Sequence, residues 1–233
     1  MRRRLKMVAA GVLVLAVCVK TSRVQGDERR FIDLTQVAAE GNAVQDFVPR
    51  GWKIEEQITG DLNGDARPDT VVTLIEDLPA ETADGGLNDR YRALLVLADG
   101  GNGTLRRVAA ATRLLRCTGC GGALNASGAG SVSIDKGVLI VNNFWGSRES
   151  VDLTQRFRYD PHLKRFVLIG EDSESRDRAV GTSVMVSSNY LTGVRISKQT
   201  RYDQKKDRDV LVSSTTKHIR TSKRFLEDVD YDE

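Results

Sequence analysis

The chain is poor in the residues that most enzyme chemistry needs. It has two histidines and three cysteines in 233 residues, and neither a Gly-x-Ser-x-Gly nor a His-Glu-x-x-His sequence occurs in it. A serine-hydrolase elbow and a zincin helix are thereby excluded. His162 follows Pro161 in a turn-like segment, and His218 lies in a charged stretch near the end. Both read as surface histidines, with no nucleophile placed beside them. Carboxylates are plentiful, so a hydrolase working through a carboxylate pair stays open as an alternative, although the sequence singles out no two of them.

Long apolar runs are also missing. The longest, Met7 to Val19, falls short of the roughly 20 residues a spanning helix requires. With the bases Arg2, Arg3, Arg4 and Lys6 before it and Val24-Gln25-Gly26 after it, residues 1–26 read as a cleaved signal peptide. Cys18, after Leu15-Ala16-Val17, offers a lipoprotein alternative. The expected location is periplasmic or secreted, with no transmembrane segment left after cleavage. The first 26 residues carry six Lys and Arg and no acid, so of 35 bases and 32 acids the mature chain keeps 29 bases against all 32 acids. That net charge of about −3 gives no footprint for nucleic acid.

Of the cysteines only Cys117 and Cys120 survive cleavage. In an oxidising compartment they predict a local disulfide across a glycine-rich turn with Gly119, Gly121 and Gly122. A redox pair would want a helix after the first cysteine, which these glycines disfavour.

Hydrophobic patterning predicts a mainly β protein, either an antiparallel sandwich or open propeller-like sheets, with a short N-terminal helix. Residues 27–51 hold that helix, within Phe31 to Phe47, and a linker ending at Pro49 and Gly51. Residues 52–225 form one β domain, and 226–233 an acidic tail expected to fray. Eleven candidate strands follow: 52–58, 70–76, 91–98, 104–110, 132–134, 138–142, 151–159, 165–169, 182–188, 193–197 and 209–214. They are rich in Val, Ile, Leu and Thr and separated by Gly, Asp and Asn turns such as Asp99-Gly100-Gly101-Asn102-Gly103. Gln199 to Arg208 reads as a solvated charged loop.

The sharpest chemical signal is Asp61-Leu62-Asn63-Gly64-Asp65-Ala66-Arg67-Pro68-Asp69. Oxygen donors at alternate positions of a turn converge on one point, as a calcium ion requires: the side chains of Asp61, Asn63, Asp65 and Asp69 and the carbonyl of Arg67. Three carboxylates so close would repel one another without a cation among them. An EF-hand is excluded, because its twelfth position is Val72, inside an apolar strand.

Gly60-Asp61-Leu62-Asn63-Gly64-Asp65, then Pro68-Asp69 and a Val-rich strand, resembles a calcium-binding repeat of the FG-GAP/VCBS type. The resemblance runs over residues 58–111, through Leu94-Leu95-Val96-Leu97 and Gly101-Asn102-Gly103-Thr104-Leu105. It departs from the pattern at Ala66, where glycine is usual, and at Leu105, where an aromatic is usual. What it implies is Ca2+ used structurally at a strand-to-strand corner. A single copy is present, so a closed propeller is not expected. The flanking segments around Trp52, Cys117 and Tyr190 resemble exported bacterial proteins without assigned activity.

Asn143-Phe144-Trp145, followed by Gly146, combines aromatic faces with an amide and reads as a candidate glycan- or peptide-binding site. The expectation is therefore an exported, non-catalytic, calcium-stabilised β protein with a structural or interaction role in the cell envelope, meeting an envelope protein or a glycan. A carbohydrate- or peptide-binding module is the alternative.

Overall fold

The structure, a computed structural model, describes residues 31–124 and 130–231. The expected signal segment, Cys18 and the last two residues of the acidic tail lie outside these. Five strands form the first sheet: β1 (Glu40–Gly41), β2 (Trp52–Gly60), β3 (Asp69–Glu76), β4 (Arg92–Asp99) and β5 (Leu105–Ala111), in the order β1-β5-β4-β3-β2. Seven more form the second: β6 (Ser131–Asp135), β7 (Val138–Gly146), β8 (Glu149–Asp160), β9 (Arg165–Asp177), β10 (Thr182–Asn189), β11 (Val194–Asp203) and β12 (Arg208–His218), ordered β12 to β6. Every pairing in both sheets is antiparallel. The two sheets make a sandwich, as the patterning predicts.

Continuous apolar sequence in β3 and β4 reflects burial on both faces. One face, with Val71, Leu94 and Val96, packs on Leu139, Val141, Phe157 and Phe166 of the second sheet. The opposite face, with Val72, Leu74, Leu95 and Leu97, is covered by Ile32, Val37 and Phe47 from the N-terminal segment. That segment is not the single helix its periodicity predicts. It forms two short 3-10 turns, Leu34–Gln36 and Val44–Phe47, with β1 between them. The apolar spacing at Leu34, Val37, Ala38 and Val44 serves a cover lying flat on a sheet, and Gly41 fits closely against Asp46 and Phe47, where a side chain would collide.

All eleven predicted strands are present, as β2 to β12. Several run longer than the patterning indicates, β7, β9, β11 and β12 by four to eight residues. β9 continues from Ile169 through Gly-Glu-Asp-Ser-Glu-Ser-Arg to Asp177, and β11 takes in Gln199 to Asp203, so the expected charged loop shrinks to a turn. These portions contribute to neither hydrophobic core and are half-buried or exposed along their length, so they lack the apolar alternation that marks a strand with one buried face.

The C-terminal segment corrects the expectation of a frayed tail. Leu226, Val229 and Tyr231 are buried, the first two in the sandwich core. The segment crosses back from β12 to pair with β9 through a Val167–Phe225 bridge and a hydrogen bond from Leu168 N to Arg224 O of 2.9 Å.

Among the described residues no helix is long and apolar enough to cross a membrane.

Candidate functional site

The Asp61–Asp69 loop is the corner between β2 and β3. It lies at the end of the sandwich where Gly60 passes within side-chain contact of Ile134, close to the β6–β7 turn. The hairpin tip after β4 approaches it too: Gly101, at φ +82°, leaves room for the Arg67 guanidinium that a β-carbon would block. The Asp61–Asp69 loop and the turn after β4 thus meet at one corner.

Within the loop, each acidic or amide side chain folds back on the backbone. Asp61 accepts from Gly64 N (2.7 Å) and Ala66 N (3.0 Å). Asn63 Oδ1 accepts from Asp65 N (2.8 Å), and Asp65 Oδ1 from Arg67 N (2.9 Å). Asp69 Oδ2 accepts from Leu62 N (2.9 Å) and Asn63 N (3.2 Å), and its Oδ1 takes the Asn63 amide (3.2 Å). The Arg67 guanidinium pairs with Asp65 Oδ2 at 3.0 Å.

The four side chains face different surroundings. Asp69 is 2% exposed, whereas the Asp65 side chain is 33% exposed. Burial, and then the charges of Asp65 and Asp61, push the Asp69 carboxyl above the ordinary aspartate range, against the backbone amides of Leu62 and Asn63, which lower it. Asp65 is held below that range by the Arg67 amide and side chain. The loop therefore contains one buried carboxylate whose charge is unfavourably placed and two others that add to its burden.

The candidate donors are oxygen atoms alone, the chemistry a hard divalent cation takes; each Asp61 oxygen accepts one amide hydrogen and retains a second lone pair, whereas Asp69 Oδ2 already accepts two. Among the described residues no three His, Cys, Asp or Glu side chains are placed to hold a metal by themselves, so the set relies on Asn63 and the Arg67 carbonyl as well. Asp61, Asn63, Asp65 and Asp69 are the side chains that would hold calcium, which would supply positive charge beside Asp69.

Ala66 adopts φ +64°, the left-handed conformation that glycine takes at little cost. The departure from the glycine of the resembled pattern thus falls on a position that needs one. Ala66→Gly is expected to stabilise the protein by about 0.5–1 kcal/mol, read from chemical denaturation midpoints. An unchanged or lowered midpoint would contradict a strained corner.

Cys117 and Cys120 form a disulfide in a turn, with no helix after Cys117. The turn docks on its surroundings through Thr118 N to Arg90 O (3.1 Å) and Gly146 N to Gly121 O (2.8 Å). Gly122, at φ +70°, lies so close to the Gly146 carbonyl that no side chain fits.

Asn143, Phe144 and Trp145 are not brought together into one site. They are consecutive in β7, so Asn143 and Trp145 face the interior side of the sheet and Phe144 the opposite side. Asn143 is 1% exposed and spends its amide on Leu114 O (3.0 Å) and Arg116 N (3.2 Å). The Arg116 guanidinium carbon sits 4.1 Å over the Trp145 ring and 5.1 Å from that of Tyr231, and its Nη2 donates to Tyr231 O at 2.8 Å. The aromatic and amide character noticed in the sequence serves to anchor the C-terminal segment.

Sequence reasoning missed a charged cluster beneath β2. Glu55 occupies a bulge in that strand, which turns its carboxylate toward Arg92 on β4. Two hydrogen bonds of 2.6 and 2.7 Å join them, and Arg92 also donates to Arg116 O at 2.9 Å. With Glu56, Thr73 and Val132 they line a small cavity. No local spacing signals a pair 37 residues apart that bridges across an intervening strand.

The sequence matches no protein-family model, and no curated protein matches it.

Proposed function

We propose that the chain is an exported, non-catalytic β protein with a structural or interaction role in the cell envelope, and that its Asp61–Asp69 loop takes a calcium ion fixing the corner between β2 and β3. The observation that carries this reading is Asp69: a carboxylate 2% exposed, beside Asp61 and Asp65, whose burial and like-charged neighbours outweigh the amide dipoles of Leu62 and Asn63. A divalent cation bound by the loop oxygens removes that cost. The Cys117–Cys120 disulfide accords with an oxidising compartment.

Two further observations favour a non-catalytic role. Glu55, which lines the small cavity beneath β2, is committed to Arg92 by two hydrogen bonds. In the groove on the outer face of the second sheet, Asp172 is paired with Arg156 at 2.7 Å and Glu174 with Arg176 at 2.8 Å. A glycan or peptide site at Trp145 is less well supported, since Arg116 already occupies one face of the ring.

The affinity expected of such a loop is modest, about 0.1–1 mM, the class of extracellular modules. At ten times the dissociation constant, binding contributes about 1.4 kcal/mol, which for a domain of this size raises Tm by about 3–6 °C. The test compares melting in calcium with melting in excess chelator, for the native chain and for Asp69→Asn. The native chain should gain stability with calcium. Asp69→Asn, which keeps an oxygen for the Leu62 amide but no charge, should melt in chelator at or above the native temperature and gain nothing from calcium.

The pH dependence has a definite sign. A carboxyl raised in the folded state contributes stability that is complete below its ordinary value and is lost as pH rises through the raised folded value. In chelator, Asp69 therefore favours the acid side. In calcium the loop needs the carboxylate, so the calcium-dependent gain should shrink as pH falls through that same window. Superimposable native melts with and without calcium, at neutral pH, would refute the proposal.

A further inference from the structure

The cavity beneath β2 has a volume of about 330 Å3 and lies between the sheets where their edge strands β2 and β6 come together. That places it at the small end of ligand cavities. Glu56, Thr73 and Arg92 line it from three successive strands of the first sheet, and Leu115 and Val132 give it apolar walls. Thr73 stands directly opposite Glu56 in the β2–β3 register, so their side chains are neighbours on one face.

Thr73 is 5% exposed, yet its hydroxyl has no hydrogen-bond partner among the described residues. A buried hydroxyl is ordinarily satisfied, so this one is a donor and acceptor open to a guest. Arg92 is not open in that way. Its Nε and Nη2 donate to Glu55 at 2.6 and 2.7 Å and its Nη1 to Arg116 O at 2.9 Å, which leaves little for an anion to bind.

Charge and hydrogen bonding then select the guest. Glu55 and Glu56 against Arg92 give the lining one net negative charge, and Glu56 makes no ion pair or hydrogen bond through its side chain among the described residues. The acceptors on offer are the Glu56 carboxylate, the second lone pairs of the Glu55 oxygens and the Thr73 hydroxyl. They match a monovalent cation carrying its N–H donors on one nitrogen, and the apolar walls match a hydrocarbon tail. A hard divalent ion would meet one uncommitted carboxylate and a guanidinium beside it, a poor donor set.

We propose that this cavity binds a small primary alkylamine. Glu56 takes the charge of the ammonium head, Thr73 accepts one of its hydrogens, and Leu115 and Val132 pack against its first methylenes. The site shares no residue with the Asp61–Asp69 corner.

The test is titration of the full chain with n-butylammonium at constant ionic strength, followed by NMR amide shifts. Tetramethylammonium, with the charge but no donors, and n-butanol, with the tail but no charge, are titrated in parallel. Saturable shifts centred on Thr73 and Val132 are expected for n-butylammonium alone. Glu56→Gln, at an exposed position, should raise the dissociation constant by at least about tenfold, the loss expected for a hydrogen bond to a charged group. Thr73→Val should raise it by about fivefold while leaving the denaturation midpoint unchanged or higher, because an unpartnered hydroxyl contributes nothing to folding. A Thr73→Val midpoint below the native one would show that the hydroxyl serves the fold instead. No saturable shift with n-butylammonium, equal shifts with either control compound, or an affinity untouched by Glu56→Gln would each overturn the inference.

Discussion

Leu226→Ala is expected to destabilise the protein by about 2–5 kcal/mol, the range for emptying a filled core position. Leu226 has no exposed surface and contacts the core together with Val229, though only seven residues follow it in the sequence. The ion pairs along the same segment are prominent but weaker: Arg165 with Glu227 at 3.1 Å, and Arg113 with Asp230 at 2.7 Å, all four side chains being partly in water. Such pairs contribute about 0–1 kcal/mol each. Apolar burial, rather than charge, therefore holds the segment down. Raising the salt concentration should shift the denaturation midpoint little, while Leu226→Ala shifts it strongly. A loss below about 0.5 kcal/mol for Leu226→Ala, typical of a surface change, would mean that the segment is only loosely laid on the sandwich.

The second large effect is expected at the charged pair beneath β2. Glu55→Ala leaves the Arg92 guanidinium, whose side chain is 8% exposed, without its bidentate partner. Removing one member of a buried pair costs about 3–5 kcal/mol. Glu55 is 30% exposed, so water can reach the vacated space and the lower end, about 3 kcal/mol, applies. Combining Glu55→Ala with Arg92→Met should recover much of the loss, since the uncompensated charge is gone. A double variant no more stable than Glu55→Ala alone would show that shape at this position matters more than charge.

The parts of the fold that could be read in the sequence are those where burial writes a pattern. β3 and β4, buried on both faces, are mainly apolar runs, and β7 opens on another, Val138 to Val141, although burial there alternates. The glycine turns between strands mark most of the remaining boundaries. Legibility fails where pairing continues without burial. Residues 170–177 and 199–203 are strands because neighbouring backbones complete their hydrogen bonds, a reason that leaves no trace in side-chain polarity. It fails again at the C-terminus, where acids between Leu226, Val229 and Tyr231 disguise three buried anchors as a solvated tail.

The candidate site follows the same division. That Asp61, Asn63, Asp65 and Asp69 share one tight corner was legible because they alternate along a turn between two strands, and Ala66 departs from glycine at a left-handed position. What spacing could not reveal is that Asp69 alone is buried, which depends on the first sheet's packing against the second. Asn143 and Trp145 illustrate the reverse. Their chemistry suggests a ligand, yet the amide caps backbone atoms of Leu114 and Arg116, and the ring supports the Arg116 guanidinium.

The most direct measurement is calorimetric titration of calcium into the chelator-treated full chain at neutral pH. One site per chain is expected, with a dissociation constant of about 0.1–1 mM, lost in Asp69→Asn and weakened in Asp65→Ala. No saturable heat, or a site that survives Asp69→Asn unchanged, would contradict a calcium-held corner at Asp61–Asp69.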